Sequence, residues 1–160
     1  MVRLADTPEE LRPFLEQLDC PTFDDQPWVE PPPLERCRVA IISTAGLQER
    51  GDKPFQLGSD ASTFGQGDYR VIGGQTPAND IVMSHVSTNF DRSGFQQDIN
   101  VAFPIDRLRE LVDRGMIGSV ADFHYSFMGA SAPEQMKPSV DRLIPLLKRD
   151  SVDVALLVPI

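Results

Sequence analysis

The sequence has no apolar run of the roughly 18 to 20 residues that a membrane-spanning helix needs, and its start lacks the apolar centre of a secretory signal. It also has no run of lysine or arginine. With 24 acidic residues against 15 basic ones, the formal net charge is −9. We therefore expect a cytoplasmic protein that binds neither membranes nor nucleic acid.

Cysteine is scarce as well. The only two, Cys20 and Cys37, have sixteen residues between them. A reducing compartment would keep both as thiols, and Cys37 is expected to head a buried strand. Four convergent ligands for zinc are not visible, so we expect no metal site and no cofactor in this chain.

With 160 residues and 41% hydrophobic content, the chain suits one domain. A capping hydroxyl at Thr7, a proline at position 8 and Glu10 predict a first helix from residue 7 onwards. Five prolines between residues 19 and 36 exclude a regular element there. We therefore expect residues 1–36 to form an N-terminal helix with a proline-rich connector, and residues 37–160 to form an α/β domain.

Apolar runs predict the strands of that domain. Residues 39–42, 81–83 and 154–158 are each expected to be buried strands, and residues 69–72 a short one. The stretch from residue 47 to residue 68 has few apolar residues and is predicted to be a long surface loop. Residues 120–128 are interpreted as a short strand or a loop.

Two helices complete the pattern. Pro104 and Asp106 begin the clearest one, which Gly115 ends. Pro138 is expected to begin the last helix, and Pro145 to kink or split it. The alternation of strands and helices predicts an α/β fold with an open, mostly parallel sheet and flanking helices, an incomplete doubly wound domain.

The last predicted strand is followed by no segment that would cover the sheet. A buried parallel strand normally leads into a crossover helix, yet this sequence stops at Ile160. We therefore expect either that the domain is truncated at its C-terminus or that another chain completes it.

Polar residues cluster after the predicted strands, where ligands gather in such sheets. His85 could hold a substrate carboxylate or donate a proton, or it could be a structural histidine bonded to a carbonyl. His124 could line a pocket or pack among aromatic side chains. These two residues are the catalytic candidates.

The substrate-binding candidates belong to the same clusters. In the polar loop, carboxylates and a guanidinium could orient a zwitterion, or the polar groups could merely stabilise the loop. The candidates are Thr44, Gly46, Ser84, Asp91, Arg92, Asp98 and Asn100.

The most specific stretch of the sequence, residues 80–129, resembles a known family. The phrases that carry the resemblance are, in order, Ser84-His85, Asp98-Ile99-Asn100, Phe103-Pro104, Asp106-Arg107-Leu108-Arg109-Glu110-Leu111, Ile117-Gly118-Ser119 and His124-Tyr125-Ser126-Phe127-Met128-Gly129. Together they look like the selenoprotein B reductases, which act on glycine, sarcosine, betaine or D-proline.

That resemblance implies reductive cleavage of a carbon–nitrogen bond by a selenocysteine or cysteine, with a pyruvoyl group on a partner subunit. In the family the reactive residue directly follows a strand similar to residues 154–158, and this sequence contains no such motif. A gene read without recoding of UGA would end at about Ile160, and the competing explanations are a short paralogue and a family member split into two chains. The chain alone is expected to be inactive.

The implied partners are the pyruvoyl-bearing and other reductase subunits, in an oligomer. The alternative is a non-catalytic binding or assembly subunit that a partner chain completes.

Overall fold

A computed structural model of the protein describes residues 5, 7–10, 12–17 (without the side chains of residues 14 and 15), 24, 28–55, 67–86, 91–129, 131 and 133–160. The chain divides into two compact units, Met1–Glu30 and Pro31–Ile160. The predicted division after residue 36 stays a prediction. No helix within the described ranges is long and apolar enough to cross a membrane.

The first unit contains a helix that is shorter than predicted. Helix α1 spans Arg12–Glu16, whereas residues 8–10 are not helical. The Arg12 guanidinium donates to the carbonyls of Thr7, at 2.9 Å, and Ala5, at 3.0 Å. Residues 9–10 form a turn rather than the predicted first helical turn, and the Thr7 carbonyl accepts from the Arg12 side chain instead.

The described part of the second unit alternates strands and helices. Its strands are β1 (Arg38–Ser43), β2 (Leu47–Glu49), β3 (Tyr69–Gly73), β4 (Ile81–Met83), β5 (Ser119–Val120), β6 (Phe123–Phe127) and β7 (Val154–Val158), and its helices are α2 (Ser93–Gln97), α3 (Ile105–Asp113) and α4 (Pro133–Arg149).

Strand β1 is the centre of a five-stranded sheet. It pairs in parallel with β7 on one side, and with β5 and then β6 on the other. Strand β3 pairs antiparallel with β6 and continues the sheet. The sheet is thus open and mostly parallel, and the predicted α/β fold class is confirmed.

Strands β2 and β4 form a separate antiparallel ribbon. Two predictions are corrected here. The predicted loop from residue 47 begins with a strand whose Leu47 is fully buried, and β4 lies outside the main sheet with only Ile81 buried. Apolar runs predict strands but not their pairing partners, and the paired residues Glu49 and Ile81 have 31 residues between them in the sequence.

The main sheet has a helix on each face because side chains alternate along β1. Val39 and Ile41 pack in one apolar cluster with Ile105 and Leu108 of α3. Ile42 faces a second cluster that contains Leu143 of α4 and aromatic residues of β6. The predicted helix after Pro104 is confirmed, and Gly115, at φ +66°, follows its end.

The last two elements differ from the prediction. Helix α4 begins at Pro133 rather than Pro138 and continues through Pro145, because its apolar face packs on the sheet despite the missing amides. Strand β7 forms as predicted but is not buried: Leu157 is 63% exposed. It pairs with β1 on one side only, among the residues described.

Candidate functional site

The carboxyl end of β1 turns sharply and gathers several elements. Ser43 Oγ donates to the carbonyl of Ala102 at 2.9 Å and accepts from the amide of Ala45 at 3.2 Å. These bonds place the next residues of the turn against the ends of β6 and β7. We call this region, residues 43–46 with 84–85 and 128–129, the carboxyl edge.

Thr44 joins the carboxyl edge to the end of β7. Its hydroxyl accepts from the amide of Ile160 at 2.8 Å and donates to the Ile160 carbonyl at 3.2 Å. Gly129 lies against the same group, since a Cβ at residue 129 would be 2.6 Å from the Ile160 carbonyl oxygen. The backbone at residue 160 is therefore held between β1 and β6.

Gly46 brings His85 into the carboxyl edge. Its φ of +66° is a left-handed conformation, and a Cβ there would lie 3.1 Å from His85 Cα and 3.3 Å from Met128 Sδ. Its carbonyl accepts from the amide of Ser84 at 2.9 Å. Glycine thus permits a close approach, and the His85 side chain is largely buried there.

Ser84 is engaged in the local structure. Its hydroxyl donates to Gln48 Oε1 at 2.7 Å and accepts from the amide of Phe55 at 2.9 Å. Both partners belong to the β2 strand and the segment after it. The serine therefore stabilises the ribbon beside the carboxyl edge.

Arg92 reaches the carboxyl edge from the start of α2. Its Nη2 donates to the backbone carbonyl of His85 at 2.5 Å. The neighbouring Asp91 accepts from the amide of Ser93 at 2.9 Å, and this backbone bond lowers the pKa of the Asp91 carboxyl. A guanidinium and an ionised carboxylate, both exposed, thus stand next to each other in the chain.

Asp98 and Asn100 organise the start of α3 instead. Asp98 accepts from the side chain and backbone of Asn100, which lowers the pKa of its carboxyl. Asn100 Oδ1 accepts from the amide of Asp106 at 3.0 Å. All three residues line a polar cavity of about 360 Å³ that includes no residue of the carboxyl edge.

His124 fills a gap in the sheet. Strands β5 and β6 are interrupted at residues 121–122, and the amide of Ile41 opposite donates to His124 Nδ1 at 3.0 Å. Asp150 Oδ2 accepts from the amides of Asp122, at 2.8 Å, and Phe123, at 3.1 Å, at the same interruption. The imidazole therefore replaces a backbone acceptor.

The state of His124 follows from that position. Burial lowers its pKa to about 4, so the ring is neutral at pH 7 with its proton on Nε2. Its ring packs edge-on against Phe103, with ring centroids 5.4 Å apart. Within the described part of the chain, no group accepts a hydrogen bond from Nε2.

The two candidate histidines do not meet. His85 lies beside Met128 at the end of β6, whereas His124 lies four residues earlier, roughly 13 Å along the strand. A catalytic role for either histidine stays a prediction. The structure gives His124 a contact of the kind expected for a structural histidine.

The structure thus brings together part of the predicted set. Thr44, Gly46, Ser84 and His85 belong to the carboxyl edge. Arg92 donates to it, and Asp91 is next to Arg92 in the chain. Asp98 and Asn100 lie at the α3 cap. Met128 and Gly129 were not predicted as neighbours of His85 and Thr44, although both belong to the last phrase of the family resemblance and directly follow β6.

No thiol was found at the carboxyl edge among the described residues. Cys37 lies just before β1, at the opposite end of the strand, and its Sγ donates to the carbonyl of Pro32 at 3.2 Å. Burial raises the pKa of this thiol, which disfavours the thiolate. Cys20 lies outside the described residues, and within them no group of three His, Cys, Asp or Glu side chains could hold a metal ion.

An open, mostly parallel sheet with flanking helices defines an α/β protein, a class in which ligands commonly bind at the carboxyl ends of the strands. Comparison with known proteins is more specific. The glycine/sarcosine/betaine reductase selenoprotein B family matches residues 9–159, and the chain belongs to this family.

Individual relatives agree with that assignment. The chain is 33% identical over 142 residues to D-proline reductase subunit gamma of Acetoanaerobium sticklandii, which covers 81% of the chain and 54% of the relative. It is 28% identical over 120 residues to glycine reductase complex component B subunit gamma of Carboxydothermus hydrogenoformans, covering 72% and 26%.

A betaine reductase complex component B subunit beta of Peptoclostridium acidaminophilum is 28% identical over 121 residues, covering 75% and 27%. The chain therefore spans about half of the D-proline reductase subunit and about a quarter of the other two. No solved structure gives a significant match.

Proposed function

We propose that the chain is part of a selenoprotein B-type reductase that cleaves the carbon–nitrogen bond of a small amino acid or its N-methylated derivative. Membership of the selenoprotein B family across residues 9–159 carries this proposal. The candidate substrates are glycine, sarcosine, betaine and D-proline. The reductase is expected to work in the cytoplasm, where thiols stay reduced.

The carboxyl edge would receive the substrate. Arg92 would pair with the substrate carboxylate, since a guanidinium matches that group in two-bond geometry. Asp91, ionised because its pKa is lowered, would attract the positively charged nitrogen. His85, whose backbone carbonyl accepts from Arg92, would supply a proton or orient the carboxylate.

The reaction needs two electrons and two protons. The carbon–nitrogen bond breaks, a carbon–hydrogen bond forms, and the amine leaves or, with D-proline, the ring opens. The electrons come from a thiol or selenol that pairs with a second thiol as it is oxidised. Neither group is among the described residues of the carboxyl edge, so the nucleophile would lie outside them.

Other subunits complete the proposed reductase. The pyruvoyl group is assigned to a partner subunit, and no residue of this chain is required to hold it. The relatives support a multi-subunit arrangement, since their names describe subunits of reductase complexes.

The second candidate function is non-catalytic, a binding or assembly subunit. The burial and raised pKa of Cys37, at the wrong end of β1, favour it. Such a subunit would hold substrate or partner subunits at the carboxyl edge and leave the chemistry to another chain.

Reconstitution separates the two functions. The purified chain should not reduce any of the four substrates with a dithiol alone. It should support turnover when mixed with the other subunits of a D-proline or glycine reductase together with the polypeptide that supplies the thiol or selenol. Product release by chromatography is the readout. Arg92→Met should raise KM more than it lowers kcat, whereas Arg107→Met, on the exposed surface of α3, should change neither.

Two results would decide otherwise. Assembly with the partner subunits without turnover would identify the non-catalytic subunit. Turnover by the isolated chain would contradict both functions, because the nucleophile would then have to be one of its own thiols.

A further inference from the structure

Strand β7 has an unprotected edge. Among the described residues it pairs with β1 alone, so alternate N–H and C=O groups face away from the sheet. Natural proteins guard such edges with charges, prolines or bulges, yet Val154–Val158 reads VALLV and contains none. An edge of this kind is normally covered.

The apolar surface continues from the edge onto α4. Leu157 is 63% exposed, and Ile144 and Val140 of α4 are 43% and 37% exposed. Between them lies a cavity of about 430 Å³, whose floor includes Ile42 and Phe127. Strand edge, cavity and helix form one surface, which we call the β7–α4 surface.

The chemistry of this surface fits a polypeptide rather than a small ligand. Binding pockets for small molecules place a few polar groups among apolar ones. Here the lining is almost wholly apolar, and the hydroxyl of Thr44 is already bonded to Ile160. A strand would satisfy the free backbone groups, and an apolar helix face would cover the cavity.

The net charge disfavours a second copy as the occupant. Two chains of charge −9 would repel each other, and the β7–α4 surface offers no excess of basic groups to offset this. The relatives point elsewhere, since the match covers only 54% of the D-proline reductase subunit. That subunit contains polypeptide of its own beyond the matched region.

We propose that the β7–α4 surface binds a strand-and-helix segment of reductase polypeptide, of the kind that the D-proline reductase subunit carries outside its matched region. The strand pairs with the free edge of β7, and the helix lies beside α4 over Leu157 and Ile144. This inference rests on the proposed function and names the surface through which the reductase is completed.

Co-expression tests the proposal. The probe is the part of the Acetoanaerobium sticklandii D-proline reductase subunit gamma outside the 142 matched residues, produced in the same cells so that it can fold on this chain. We expect the two polypeptides to co-purify and hydrogen exchange of the amides at residues 154–158 to slow at least about tenfold. Leu157→Asp should weaken the complex about tenfold or more.

A matched control keeps the test specific. Met116→Asp changes another exposed apolar residue, 53% exposed, that does not line the cavity, and should leave the complex intact. Failure to co-purify, or co-purification without protection of β7, overturns the proposal. So does light scattering that shows a dimer of this chain alone which Leu157→Asp dissociates, since a second copy would then occupy the surface.

These results are distinguishable from failure of the proposed function. Complex formation is measured without turnover, so a protected β7 in a complex that stays inactive with partner subunits would refute the reductase and keep the docking surface. Turnover with an unprotected β7 would support the reductase and refute the docking surface.

Discussion

Strands β1 and β7 are neighbours with nearly the same composition and opposite surroundings. Ile41 in β1 is fully buried, with a helix on each face of the sheet, whereas Leu157 in β7 is 63% exposed. Both runs predict a strand equally well. The difference lies in what surrounds the two strands. Because β7 is exposed, other polypeptide would bury more apolar area and form more new backbone hydrogen bonds at β7 than at β1.

The largest difference should come from replacing one apolar side chain of each strand by alanine. Ile41→Ala removes a buried side chain and should lower the free energy of unfolding by about 2–5 kcal/mol. Leu157→Ala should lower it by less than about 1 kcal/mol, because little area is lost from contact. Urea unfolding of both variants measures the difference, and equal losses would mean that β7 is as enclosed as β1.

Acidification should lower the free energy of unfolding, because His124, which accepts from the β1 amide of Ile41, becomes protonated. Its pKa of about 4 in the folded chain lies below the unfolded value of about 6.5, so the unfolded state binds more protons between these values. Stability is therefore full above pH 6.5 and lost as pH falls, by on the order of 3 kcal/mol at pH 4.

The test compares the wild type with His124→Gln, which does not titrate, by urea unfolding from pH 7 to pH 4. The pKa values of Asp91 and Asp98 are lowered in the folded chain, so these carboxylates contribute to stability until the pH falls still lower. Their titration therefore does not interfere between pH 7 and pH 4. Parallel pH curves for the two proteins would refute the structural role of His124.

A smaller effect is expected at the turn that ends β1. Gly46→Ala should cost about 1–2 kcal/mol for the left-handed conformation and more for the contact with His85. Gly115→Ala is the matched control, since it has the same φ of +66° and nothing within 4 Å of the added Cβ. The free energy of unfolding, measured by thermal or urea unfolding, should fall further in Gly46→Ala than in Gly115→Ala. The difference measures the cost of the contact between the added Cβ and His85.

The smallest effect concerns the bond that joins the two strands. Thr44→Val removes both hydrogen bonds to Ile160 and should cost about 1 kcal/mol, with faster exchange of the Ile160 amide. Thr44→Ser keeps the hydroxyl and should retain the protection. Loss in Thr44→Ser, with stability and protection retained in Thr44→Val, would assign the effect to packing of the methyl group instead.

Local patterns were sufficient for much of the fold. Apolar runs located β1, β3 and β7, and the capping and glycine signals located α3. The same patterns could not reveal that β4 pairs with β2 rather than with the main sheet, since pairing depends on the whole set of strands. The burial of β7 was overestimated for the same reason: composition does not say which strand lies at an edge.

The candidate site shows a similar limit. His85 and Gly46 could be expected at strand ends, and they do lie together. The bond between Thr44 and Ile160 spans 116 residues, and the acceptor role of His124 depends on an interruption in the strand opposite Ile41. No pattern within a short window of sequence encodes either contact.

The two prolines within α4 determine whether this helix is stable in isolation. Neither Pro138 nor Pro145 has an amide to donate, so the carbonyls four residues earlier, at Glu134 and Asp141, lose their usual intrahelical donors. A helix weakened in this way is stabilised by the packing of Leu143 and neighbouring apolar side chains against the sheet. A synthetic peptide of residues 133–149 would accordingly be largely unstructured in water, so this helix exists only as part of the layer it covers.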